Sequence, residues 1–257
     1  MIARRSPSEL DKLNKAGLLV HKILHRLKDM VKVGVSTWDL ETEADRMMRE
    51  AGAKPAFKGY YSQAAGTKYP YVLCVSVNEE IVHGMPSQKK VLQAGDVVSL
   101  DTGVQLNGYY GDSALTVALD PVTRETEKLL RVTSECLDLA IKQAVAGNRL
   151  ADISSAVERH AVTEGFSVVR EFVGHGIGTS LHEEPQVPNY VDRKNDNPRL
   201  KEGMVLAIEP MILAGRPESK VLKDKWTAVT KDGRNAAHFE HMVAITNNGP
   251  WVLSRPA

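Results

Sequence analysis

Asp101, Asp112, His175, Glu209 and Glu240 combine metal-ligand chemistry with positions where the chain reads as a strand or a strand end. Four carboxylates and one imidazole exceed what a single tetrahedral zinc takes in a closed site. They suit two divalent ions about 3.5–4 Å apart, bridged by carboxylates and a water, the layout of many hydrolases. An unpaired ionised carboxylate is very costly to bury, so an acid that ends an apolar run asks for a cation. These residues point to a dinuclear metallohydrolase.

The sequence repeats itself around them. Leu92, Gly95, Val97, Leu100 and Asp101 recur as Leu200, Gly203, Val205, Ile208 and Glu209, each 108 positions further on. Upstream, Val82-His83-Gly84 is echoed by Gly174-His175-Gly176. Gly-x-Val-x-x-aliphatic alone is an ordinary turn-into-strand pattern; the acid closing both copies is what that pattern leaves unexplained. Asp101 and Asp112 fall on two strands joined by Asn107-Gly108, a hairpin that can set them side by side on one face. The competing reading of Asp112 is a solvent-facing acid after a glycine. A lone histidine is ordinarily a core residue, but His175 sits among Gly174, Gly176 and Gly178, which permit close backbone approach. Glu209 precedes Pro210, and Glu240 enters the last strand.

The elements that position these groups come in two similar sets. Ser6-Pro7-Ser8-Glu9 reads as an N-cap, a first-turn proline and a capping-box glutamate. Leu10, Leu13, Gly17, Val20, Leu24, Leu27 and Val31 then recur at helical steps, so 7–32 reads as one amphipathic helix. A second helix runs from Thr37 to Ala51, stopped by Gly52. After a Gly- and Tyr-rich loop come strands over Tyr71–Asn78, 96–104 and 109–119. In the second half Asp120-Pro121 opens a helix to about Ala146, and 151–164 makes another, closed by Gly165. Strands follow near 167–173, 204–213, 225–231 and 236–246, while the proline-rich 182–198 reads as a long surface loop of the kind that is often functional. Two helices and then antiparallel strands, twice over, is an α+β architecture. The expectation is one catalytic domain over 1–257, with pseudo-symmetric halves near 1–120 and 121–257.

Composition narrows the classes. A net charge of +1 gives no electrostatic footprint for nucleic acid or an anionic membrane. Two cysteines, Cys74 and Cys136, cannot form a disulfide framework or a thiolate zinc site, and both sit on apolar patterns; a reducing, cytoplasmic setting follows. No apolar stretch follows Arg4-Arg5, so no secretory signal is expected, and no run approaches the ~18 apolar residues that span a bilayer. His182-Glu183-Glu184-Pro185-Gln186 begins like a zincin helix but lacks the second histidine. There is no Gly-x-Ser-x-Gly elbow and no phosphate-binding loop.

Taken together, Asn78-Glu-Glu-Ile-Val-His83-Gly84, Asp101 with Gly111-Asp112, and Gly174-His-Gly-Ile-Gly178 form one ordered set. It continues through Leu181-His182-Glu-Glu-Pro-Gln-Val187, Ile208-Glu209-Pro210 and Phe239-Glu240-His241. In order and spacing the set resembles the type I methionine aminopeptidases, whose fold is called pita-bread. The resemblance implies removal of the initiator methionine from new polypeptides when the next residue is small. It implies that Asp101 chelates one metal, that His175 and Glu209 bind the other, and that Asp112 and Glu240 bridge them. Glu209 then moves the proton of the attacking water, and His83 and His182 hydrogen-bond the substrate amide and the tetrahedral intermediate.

Tyr60, Tyr69, Cys74 and Trp226 occupy the family's methionine-pocket positions. Leu181 stands where a Phe is common, Phe57 where a small residue or Cys can occur, and 61–68 is longer than in compact members. The cofactors implied are two divalent ions, with Co, Mn, Fe and Zn all compatible with these ligands. The partners implied are N-terminal methionyl peptides and nascent proteins, with a monomeric enzyme and contact with the ribosome left open. Two rivals share the fold: X-Pro peptidases, which share all five ligands but usually carry an extra N-terminal domain, and non-catalytic binding proteins, which typically lose ligands.

Overall fold

The computed structural model describes residues 2–192 and 196–256. Four helices form: α1 (Pro7–Met30), α2 (Thr37–Glu50), α3 (Arg124–Gln143) and α4 (Leu150–Thr163). At the start of α1 the Ser6 amide and hydroxyl both donate to the Glu9 carboxylate, at 2.9 and 2.8 Å. In α2 the Asp39 amide donates to Ser36 Oγ and the Ser36 amide to Asp39 Oδ2, so both ends of a capping box are closed.

The third helix begins later than Asp120-Pro121 implies. Leu119 is tied by backbone hydrogen bonds to Gly95 and Asp96, which holds this stretch extended. Thr123 caps the helix instead, accepting the Thr126 amide at 3.2 Å.

The central hairpin pairs Val97–Leu106 with Tyr109–Ala118 across Asn107-Gly108, both with positive φ (51° and 84°), as a tight two-residue turn demands. Leu73–Val77 pairs with the other edge of Val97–Leu106. In the second half an antiparallel sheet runs in the order Glu183–Val187, Gly174–Gly176, Val205–Ile208, His241–Thr246, Gly249–Val252. Smaller sheets join Ala236–His238, Met211–Leu213 and Ser167–Val168, and join Ser219–Val221, Ala228–Thr230 and Glu80–Val82.

Several expected strands are broken or shortened, each for a visible reason. The 204–213 run splits at Glu209-Pro210, where proline has no N–H for the ladder. The 236–246 run splits at Phe239-Glu240, where the Glu240 amide turns to Ala114 O at 2.9 Å. Of 167–173 only Ser167–Val168 pairs, and 225–231 narrows to Ala228–Thr230. The 182–198 segment is not all loop: Glu183–Val187 is a strand against Gly174–Gly176, with a register shift at Glu184-Pro185 that accommodates the proline. Residues 193–195 of that segment lie outside the described residues. The Gly- and Tyr-rich loop holds a small hairpin, Tyr61–Ser62 with Thr67–Lys68.

Among the described residues, two of the apolar cores pack helices onto sheets. One packs α1 and α2 onto the first sheet through residues such as Val20, Leu27, Leu40, Leu73 and Leu100. The other packs α3 and α4 through Leu129, Cys136, Ile153, Leu206 and Val243. The two halves meet along a seam of hydrogen bonds: Ser113 Oγ to Glu240 O (2.5 Å), Thr116 Oγ1 to His238 O (2.7 Å), and the His238 amide back to Thr116 Oγ1 (2.9 Å). Among the described residues, no helix is long and apolar enough to cross a membrane.

Candidate metal centre and cleft

The seam carries the acids. Asp101 lies opposite Ala114 and Asp112 opposite Gly103, so the two are diagonal neighbours on one face of the hairpin. Glu240 is bridged to Ala114, which brings it to the same face from the second half. Glu209 stands at the break after Val205–Ile208, its carbonyl held by Asn189 Nδ2 at 3.1 Å.

His175 is central in Gly174–Gly176, and both flanking glycines are required. A Cβ on Gly174 would come within 2.4 Å of Ala207 O, and one on Gly176 within 2.3 Å of Glu184 O. The first echo has the same device at Gly84, where a Cβ would sit 2.4 Å from Val75 O. His83 next to it has φ of 60°, a conformation that costs energy in a non-glycine residue and clusters at functional sites.

His175 Nε2 lies 3.9 Å from Asp112 Oδ2 and 3.7 Å from Glu209 Oε1. Ligand atoms of Asp112, His175 and Glu240 all lie within 4.8 Å of one another. The other ring nitrogen, Nδ1, is 2.9 Å from Gly176 O. A carbonyl only accepts, so Nδ1 carries the proton and the Nε2 lone pair faces the acids, the arrangement of a metal-ligating histidine. Burial holds the His175 pKa down at about 3, so the ring is neutral and available.

The acids show the opposite strain. Burial raises Asp101 to about 7, and burial with mutual repulsion pushes Asp112, Glu209 and Glu240 well above the carboxylate range. Asp112 Oδ1 and Glu240 Oε1 are buried without a hydrogen-bond partner. Nothing cationic from the described protein neutralises them, so the donor set fits bound divalent cations.

These groups floor one wall of a cleft of about 250 Å³. Every residue read as a site residue in the sequence lines it: Phe57, Tyr60, Tyr69, Cys74, His83, Leu181, His182 and Trp226 beside the five candidate ligands. Tyr69, Cys74 and Trp226 form a compact apolar end, with Tyr69 edge-on to Trp226 at 5.1 Å between ring centres. His83 packs edge-on to Phe172 and Trp226. Its pKa is lowered to about 4 by burial and by His182. His182 packs edge-on to His175 at 4.3 Å and meets Tyr60 Oη through Nδ1 at 2.9 Å. Its loop is anchored by the Glu183 carboxylate, which accepts the Thr179 and Ser180 amides and pairs with Arg5.

Ser62, from the 61–68 stretch, and Val82, beside His83, line it too, as do Phe172, Val173 and Met211, which carry no sequence signal of their own. Neither does His238, which is buried with both ring nitrogens unpartnered and places Nε2 3.7 Å from Glu209 Oε2. His241, prominent in the Phe-Glu-His motif, turns away and bonds Ser254 Oγ through Nδ1 at 2.9 Å.

Known proteins resemble this chain over nearly its whole length. The model of metallopeptidase family M24 matches residues 11–247. A methionine aminopeptidase of Bacillus subtilis (strain 168) is 47% identical over 255 residues, covering 99% of this chain and 100% of that one. The crystal structure of a methionine aminopeptidase from Thermotoga maritima superposes with a TM-score of 0.94 at 43% identity, over the full length of both chains. A prolidase from Pyrococcus furiosus shares the fold at a TM-score of 0.78, but at 21% identity and with 66% of its chain covered. The backbone is therefore common to both kinds of enzyme, and it is sequence identity over the whole length that separates them: the chain belongs to the methionine aminopeptidases of metallopeptidase family M24.

Proposed function

We propose that this chain removes the initiator methionine from polypeptides whose second residue is small, with Asp101, Asp112, His175, Glu209 and Glu240 holding two divalent cations. The observation that supports this most is four acids with raised pKa values, Asp112 and Glu240 of them buried, and the free Nε2 of His175 facing one cleft with an apolar end. In the assignment, Asp101 serves one ion, His175 and Glu209 the other, and Asp112 and Glu240 both. When bound, such ions polarise a carbonyl and acidify water towards neutral pH.

The chain's own groups do the rest. Glu209 takes the proton of the attacking water on its carboxylate and passes it to the leaving amine. His83 and His182 are neutral, because burial lowers both pKa values. Each then offers one N–H to the substrate amide and to the charge that develops on it. Tyr69, Cys74 and Trp226 receive the unbranched thioether, with Phe57, Tyr60 and Leu181 as the nearer walls. Nascent proteins as substrates imply work in the cytoplasm.

The test is a panel of Met-Ala-Ser, Met-Leu-Ser, Ala-Pro-Ser and Leu-Pro-Ser, assayed after Mn²⁺, Fe²⁺, Co²⁺ or Zn²⁺ is returned to metal-free protein. Met-Ala-Ser should be cleaved far faster than the other three. Since a hydrophobic pocket discriminates by only about 1–3 kcal/mol per methylene, some turnover of N-terminal norleucine is expected too. Efficient cleavage of Leu-Pro-Ser with little action on Met-Ala-Ser would replace this reading by an X-Pro peptidase.

A further inference from the structure

Two histidines stand edge to face in the cleft, His175 and His182, with ring centres 4.3 Å apart. Both use Nδ1 for a hydrogen bond of 2.9 Å, but the partners differ in kind. The partner of His175 is the Gly176 carbonyl, which can only accept; the partner of His182 is the Tyr60 hydroxyl, which can donate. We propose that Tyr60 is a positioning residue that donates its phenolic proton to His182 Nδ1, so that the proton of the neutral ring sits on Nε2 and points into the cleft. The two neighbouring rings are thereby set in opposite tautomers, one presenting a lone pair and the other an N–H. This rests on the reading of His182 as a donor to the substrate.

The argument for the direction of the bond is chemical. An imidazole nitrogen is a strong acceptor and a phenol a good donor, so O–H to Nδ1 is the favoured pairing. The reverse pairing would leave Nε2 as an acceptor only, unable to stabilise negative charge on a substrate oxygen.

The placement of Tyr60 supports the assignment. Its backbone is pinned on both sides, its amide to Phe57 O and its carbonyl by the Tyr69 amide, each at 2.9 Å. Its ring packs edge-on to His182 with 5.0 Å between centres. Tyr60 is exposed (38%), so it is not held by burial, and its hydroxyl is the atom that reaches the histidine. As an apolar wall of the methionine pocket it would work equally well as phenylalanine.

Tyr60→Phe therefore separates the two roles. Protein labelled with ¹⁵N in histidine, both metal-free and zinc-loaded, should show His182 as a single Nε2–H tautomer. In Tyr60→Phe its ¹⁵N shifts should move towards the average of the two tautomers, while those of His175 stay fixed. With Met-Ala-Ser, kcat should fall about five- to tenfold, the worth of one neutral hydrogen bond, at nearly unchanged KM. In a His182→Ala background the same substitution should have no further effect, because Tyr60 acts only through that ring.

An Nδ1–H tautomer in the unaltered protein would overturn the proposal, as would an undiminished effect of Tyr60→Phe without His182. Should His182→Ala itself leave kcat untouched, the donor role of His182 fails first, and the tautomer spectra still decide what Tyr60 does.

Discussion

Asp112 Oδ1 and Glu240 Oε1 are the clearest sign of function at the scale of single residues, because each is buried with nothing to bond. A group left in that state destabilises the fold, and proteins keep such groups where function needs them. The consequence is testable. Asp112→Asn or Glu240→Gln should leave the metal-free protein at least as stable as the parent, since a costly buried acid becomes neutral. The same variants should lose tight binding of both ions, because both residues are assigned as bridges. Calorimetric titration with Mn²⁺ or Co²⁺ checks this, and stoichiometric, tight binding of two ions by either variant would remove the bridging assignment. Asp101 and Glu209 stood out in sequence because each closes an apolar run, and Asp112 because a hairpin sets it beside Asp101. His238 did not, since nothing in Ala236–His238 distinguishes it from any other buried strand residue.

At the scale of elements, the site depends on backbones that approach more closely than side chains permit. Gly174–Gly176 is squeezed between Val205–Ile208 and Glu183–Val187. A methyl group on Gly176 would meet the Glu184 carbonyl at 2.3 Å and its carbon at 2.7 Å, both rigid backbone atoms. Gly176→Ala should therefore cost about 1–3 kcal/mol by overpacking. It should also weaken metal binding, because Gly176 O is what orients the His175 ring. Urea unfolding of metal-free protein measures the first effect and metal titration the second; a variant with parental values in both would show that the strand relaxes freely. Two of the strand breaks, at Glu209-Pro210 and Phe239-Glu240, fall on acids of the proposed metal site. A carboxylate that leaves the regular ladder can turn towards the centre, and simple alternation in the sequence cannot register that departure.

For the molecule as a whole, Glu41 ties the first half together. Its buried carboxylate, on α2, accepts the Val72 and Leu73 amides at the start of the Leu73–Val77 strand, which leads to the cleft. Burial raises its pKa to about 7, against opposing stabilisation by those amides. The folded state thus binds this proton more tightly than the unfolded chain does. The associated stability is complete below the ordinary value of 4.5 and is lost as pH rises through about 7. The stability difference between the parent and Glu41→Gln should accordingly turn against the parent between pH 5 and 8, by at most about 1.4 kcal/mol per pH unit. Urea midpoints across that range test it, and a difference independent of pH would mean that Glu41 titrates normally.

What the sequence determined by itself was whatever depends on near neighbours. The capping box at Ser6, the helical spacing from Leu10 to Val31, the Asn107-Gly108 turn and the acids at Asp101 and Glu209 are all written within a few residues, and the repeat that relates the last two matches two such short stretches 108 positions apart. Tertiary structure decided what depends on distant segments meeting. It fixed the seam that carries Glu240 onto Ala114. It joined Tyr60 to His182 across 122 positions. It turned His241 away from the site and His238 towards it. The reason is physical: periodicity and capping record how a segment satisfies its own backbone and buries its own face, whereas the direction of a side chain at a strand break is settled by the element packed against it.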